Sequence, residues 1–144
     1  MCSKNCEWGI TLLRVALGLI FFIHGAQKVF GWHKGTGLEG FALWASIYEI
    51  PVWLSYAASY GEAVGGFLLI LGSYTIFAGC LSIAVMIGAL YFIYTPRGYS
   101  IQNNGYEYIV MLIIATTTVM LCGSGISLKE LAQRAISIKR NKDR

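Results

Sequence analysis

The residues best suited to chemistry stand where charge is least welcome. Arg14, His24 and Lys28 fall within one long apolar run, Glu62 lies in a second, and Glu107 opens the last. An isolated charge at the centre of a bilayer costs ~2.5–3.5 kcal/mol on insertion scales, so such groups pair, face a bundle interior or line a functional cavity. A lysine or arginine can polarise a carbonyl, and a histidine or carboxylate can pass a proton. His24 and Glu62 are therefore candidate catalytic residues, with Arg14, Lys28 and Glu107 as candidate ligand-binding residues. Arg97 sits just outside the runs, in a polar loop. Other chemistry has no signature in the chain. There is no phosphate loop, no nucleophile elbow, no zinc-protease motif and no histidine pair at metal or haem spacing, so no metal site is expected.

The elements that must position these groups follow from composition. The chain has 144 residues, of which 56% are hydrophobic and only 12% charged, where soluble domains carry about 25%. Four apolar runs, at about 8–30, 53–71, 76–94 and 106–122, are each close to the ~20 residues that cross a ~30 Å hydrocarbon core. The expected fold is an all-α membrane protein: a four-transmembrane-helix bundle over residues 1–128 with a basic tail at 129–144. Pro51 precedes the second run and Pro96 follows the third, so proline interrupts neither. The first run is too long for a secretory signal and carries Arg14 within it, which makes it a mature helix.

Basic residues set the orientation. The tail after Gly125 carries the whole chain's net charge of +4, and the positive-inside rule places it in the cytoplasm. Four crossings put the N-terminus there too. The implied topology is multi-pass, with both termini cytoplasmic. Juxtamembrane basic residues are explained by topology and anionic lipid, so nucleic acid is not an expected partner. The four cysteines, Cys2, Cys6, Cys80 and Cys122, then lie near the reducing side and read as free thiols, chiefly small buried hydrophobes, with a Cys80–Cys122 redox pair as the alternative. Between the first two runs, Leu38, Phe41, Ala45 and Tyr48 recur at helical steps beside Trp44. That pattern predicts a short interfacial helix, either a lid over a cavity or a plain anchor.

Two readings of the polar groups stand side by side. In one they are structural: Arg14 pairs with Glu62, Lys28 pairs with Glu107, and His24 bonds a neighbour. Heights counted at 1.5 Å per residue place Arg14 and Glu62 within ~7–8 Å of each other. In the other they surround a cavity and bind or protonate a polar head group, with Tyr60, Tyr91 and Tyr94 adding hydroxyls.

The stretch from Arg14 to Gly31, with His24-Gly25 and Lys28, resembles the first helix of the DoxX family. Glu62 to Gly72 resembles that family's second helix and turn, Tyr106-Glu107 its fourth-helix opening, and Gly123 to Leu128 its glycine–serine–leucine close. Lys129 stands where family members commonly carry an aspartate. The resemblance implies a four-helix bacterial inner-membrane protein tied to quinone-linked oxidation or oxidative stress. The leading expectation is a polar intramembrane cavity for a quinone or similar lipid-soluble small molecule. It would serve an oxidoreductase system whose partner proteins supply electrons, with no covalently bound cofactor. A non-enzymatic assembly factor or complex subunit, and a small proton-coupled transporter using Glu62, are the alternatives.

Overall fold

The computed structural model describes residues 4–127 together with Gln133 and Ile136. The predicted tail at 129–144 thus lies almost wholly outside the described residues. The described part is helical, with no strand. α1 spans Lys4–Phe30, α2 Gly37–Ser46, α3 Val52–Leu71, α4 Thr75–Ala89 and α5 Glu107–Cys122. Lys4–Phe30, Val52–Leu71 and the continuous helical stretch Thr75–Arg97 are long and apolar enough to cross a membrane; α5 is apolar but has only 16 residues. Large apolar side chains such as Leu12, Phe67, Ile87 and Leu121 are exposed on the outside of these helices. That pattern suits lipid as the surrounding solvent.

Glycines decide how the helices meet. A Cβ at Gly18 would lie 2.8 Å from Ile70, one at Gly25 would collide with the Ala63 backbone, and one at Gly66 with the backbone of Phe22. These positions fix α1 and α3 as a close antiparallel pair, the most extensive in the fold. Gly61 and Gly65 of α3 face α4 in the same way, against Leu81 and Val85 and against Ser82. The four-residue spacing of Gly61 and Gly65 thus serves a contact within one chain. Leu17, Phe21, Leu69, Met86 and Leu112 fill the space between the helices.

Helix ends are set locally. Pro51 is the N-cap of α3, where its missing N–H costs nothing. Gly72 ends α3 with φ 68°, and Ser73 N–H donates to Leu68 O at 3.3 Å, the long bond of a Schellman motif. α4 does not stop at Ala89 but widens into a π turn over Leu90–Tyr94. Pro96 cannot donate to the carbonyl four residues back and crowds it, so the backbone opens just before it. Thr95 Oγ1 then donates to Leu90 O at 2.6 Å.

The cysteines differ from expectation. Cys80 and Cys122 are free but exposed on the bundle surface, because the buried faces of α4 and α5 are taken by Ala78, Ser82, Thr116 and Val119. Cys6 is disulfide-bonded, so the expectation of four free thiols does not hold for it.

Candidate functional site

Arg14 and Glu62 do not meet. Arg14 is 2% exposed and its guanidinium reaches the end of α3, donating from Nη1 to Leu69 O and, at 2.9 Å, to Ile70 O. Its Nη2 donates to Ile126 O at 3.0 Å. Leu69 and Ile70 belong to the last turn of α3, where the helix dipole favours a cation; Leu69 O also accepts from Gly72 N–H at 3.1 Å. Gly72 makes room for the guanidinium: a Cβ there would lie 2.6 Å from Nη1. One turn below, Thr11 Oγ1 accepts from Ile126 N–H at 2.8 Å, so α1 grips the chain after α5 at two points. Arg14 is a cross-helix cap and does not line the cavity described below.

Glu62 pairs instead with Lys28. The ammonium donates to Glu62 Oε2 in the only ion pair found among the described residues. The glycine docking explains the pairing, since Gly25 lies against Ala63 and brings Lys28, one turn on, to the level of Glu62. The Glu62 side chain is 3% exposed and that of Lys28 24%. Lys28 also stands over the Phe41 ring, 5.0 Å from its centroid, a cation–π contact that ties α2 to α1. The expected partner of Lys28, Glu107, lies elsewhere: its Oε2 accepts from Ile101 N–H at 3.2 Å and holds the loop before α5.

His24 bonds a neighbour, as the structural reading expected. Its Nδ1 lies 2.9 Å from Ile20 O. A carbonyl can only accept, so Nδ1 carries a proton, and Nε2 is the ring nitrogen that this bond leaves free.

His24, Lys28 and Glu62 line one cavity of about 430 Å³. Phe41 and Trp44 of α2 form part of its wall, Ser55 and Ala58 belong to α3, and Met86, Phe92 and Ile93 to α4 and its π turn. Tyr94 and Tyr108 bring phenol groups to it, whereas Tyr60 and Tyr91 point away and are exposed. The walls are otherwise mainly aliphatic and aromatic. Trp32 packs edge-on to Phe22 rather than lining the space.

A clasp closes the rim. Arg97 Nη2 donates to the Tyr48 hydroxyl, and the guanidinium stands 5.4 Å from the Tyr94 ring centroid. It joins the end of α2 to the end of the π turn. The sequence signalled this residue only as a polar loop position. The roles of Phe41 and Trp44 were foreshadowed by the helical spacing around them, but Tyr108 and the π-turn residues carried no signal beyond hydrophobicity. Among the described residues no group of three or more histidines, cysteines or carboxylates could hold a metal ion.

The fold and site together define a small helical membrane protein whose buried ion pair opens on an apolar cavity. The chain belongs to the DoxX family, whose domain matches residues 9–95. It is similar to a Bacillus subtilis (strain 168) protein named "Putative oxidoreductase CatD", with 30% identity over 110 residues, covering 76% of this chain and 77% of that one. No solved structure matches it.

Proposed function

We propose that the cavity binds the polar head of a quinone or another lipid-soluble small molecule, as part of an oxidoreductase or oxidative-stress system. The observation that carries this reading is the Lys28–Glu62 pair at the wall of a largely apolar space of about 430 Å³. That volume falls in the range of small-molecule sites, which combine apolar walls with a few placed polar groups. In this reading the chain crosses a bacterial-type inner membrane four times with both termini cytoplasmic. α2 then lies in the outer interface as a roof over the cavity. The short α5 completes the fourth pass with the turns that flank it. The oxidoreductase name of the Bacillus relative supports the chemical class.

Reduction of a quinone to a quinol takes up two electrons and two protons, the electrons coming from a reduced partner. The two protons come from water, and this chain's residues orient the ring and relay them. The Lys28 ammonium donates a hydrogen bond to a carbonyl oxygen and draws charge toward it. Glu62 holds Lys28 in place and, with His24 Nε2, provides acceptors through which a proton passes. Phe41 and Trp44 cover the ring and exclude water.

The test is titration of a short-chain quinone into the purified protein, read by tryptophan emission, with Trp44 as the reporter in the wall. Saturable binding is expected. Removing both charges together, as Lys28→Met with Glu62→Gln, should weaken it by roughly tenfold, the worth of one charged hydrogen bond. Absence of saturable binding to the unaltered protein would overturn the reading and favour a non-enzymatic assembly role.

A further inference from the structure

The cavity is bounded by some residues that do not face the bundle interior. Ala57 of α3 lines it and is exposed. Two turns along the same face is Val64, 46% exposed on the outside of the helix. Ala84 of α4 also lines the cavity and is exposed. At the same seven-residue spacing on either side are Phe77 and Tyr91, 60% and 74% exposed. A cavity can touch the outward faces of two neighbouring helices only if it runs out between them.

The glycines show where the helices part. α3 and α4 are in contact at Gly65, where a Cβ would lie 2.7 Å from Ser82 Oγ, and at Gly61, where Leu81 and Val85 lie 3.4 Å away. One turn beyond Val85, toward the π turn, space opens beside α4. A Cβ at Gly88 would meet nothing within 4 Å, although Gly88 lines the cavity. Small residues line the cavity from both helices here, Ala57 and Ala58 on α3 and Ala84 and Gly88 on α4. α1 offers no equivalent gap toward α3, because Gly18, Gly25 and Gly66 bring those two backbones into contact along their length.

We infer that this α3–α4 seam is a lateral portal and tail channel, and that the ligand is a bilayer-resident amphiphile. Its polar head meets Lys28, Glu62 and His24, while its apolar chain lies between Ala57 and Gly88 and leaves the protein sideways. The inference rests on the cavity reading above and narrows it from any small quinone-like molecule to one carrying a long unbranched or isoprenoid tail. Both walls of the seam are apolar, so a tail moves from lipid into it with little change in solvation. The seam therefore selects by shape, and filling it excludes tailed ligands through steric conflict.

The test uses the full protein in lipid nanodiscs and two probes, a benzoquinone with a long alkyl tail and the same ring without one. Gly88→Phe fills the seam. It should weaken binding of the tailed quinone by roughly tenfold more than binding of the tail-less ring, the cost of overpacking the site where the tail passes. Retained binding of the tail-less ring also reports that the variant is folded. Independently, a photoreactive group on the tail should label peptides containing Ala57, Ala84 or Gly88 in the unaltered protein. If Gly88→Phe affects both probes equally or neither, or if the label falls on α1 or α5, the portal is overturned while the cavity reading stands. If the unaltered protein binds neither probe, the cavity reading itself fails and the portal with it.

Discussion

Two cations on one helix, Arg14 buried and Lys28 partly buried, meet opposite fates. Arg14 has its guanidinium spent on three carbonyls at the end of α3 and after α5. Glycine frames it, and it does not line the cavity. Lys28, four turns along α1, has one carboxylate partner and an open cavity beside it. The difference teaches how to separate structural from functional charge inside a membrane protein. A charge whose donors are consumed by backbone is holding the fold. A charge matched by a single opposite charge and facing empty space retains capacity for a ligand. Arg97 is intermediate, a clasp on Tyr48 and Tyr94 at the rim.

Three substitutions sharpen that contrast, in decreasing order of expected effect. Arg14→Met should be the most damaging to stability, by about 4 kcal/mol, because several charged hydrogen bonds are lost and buried carbonyls are left without donors. Melting in detergent would measure it, and a loss confined to ligand binding would reverse the assignment. Glu62→Gln should cost about 3 kcal/mol, since it strands Lys28. Adding Lys28→Met should recover much of that loss, whereas adding Arg14→Met should not. Strict additivity of the Lys28 and Glu62 changes would show that the pair contributes no coupling. Tyr48→Phe keeps the ring but removes the acceptor for Arg97, and should cost only about 1 kcal/mol. Its larger signature should be faster hydrogen exchange in α2, the roof of the cavity. Unchanged exchange there would mean that the clasp does not hold the roof.

The same contrast shows what the sequence could and could not carry. That Arg14, His24, Lys28 and Glu62 mattered was legible, because ionisable residues stand out in apolar runs. The short helix at Gly37–Ser46 was legible from its spacing, as were the turn at Gly72 and the membrane character of the long helices. Which charges would meet was not. Counting heights from Trp8 and Trp53 assumed that both helices start level with the membrane boundaries. The register is instead fixed where the backbones can approach, with Gly18 at Ile70, Gly66 at Phe22 and Gly25 at Ala63. That shifts α3 against the height estimate by about two turns, enough to move Glu62 from Arg14 to Lys28. The glycines carry the pairing. Glu107 was misplaced because its backbone and side chain close a loop onto Tyr99 and Ile101, a local bond with no sequence periodicity to announce it.

The central claim is that the space beside Lys28 and Glu62, and not the surroundings of Arg14, is where this protein holds a ligand. An experimental structure of the protein extracted with its native lipid would test it most directly. The account predicts non-protein density in the cavity, with its polar end within hydrogen-bond reach of Lys28 Nζ and its apolar end leaving between Ala57 and Gly88. A cavity collapsed by side-chain movement or filled with lipid chains making no polar contact to Lys28 or Glu62 would contradict it, as would ligand density against Arg14.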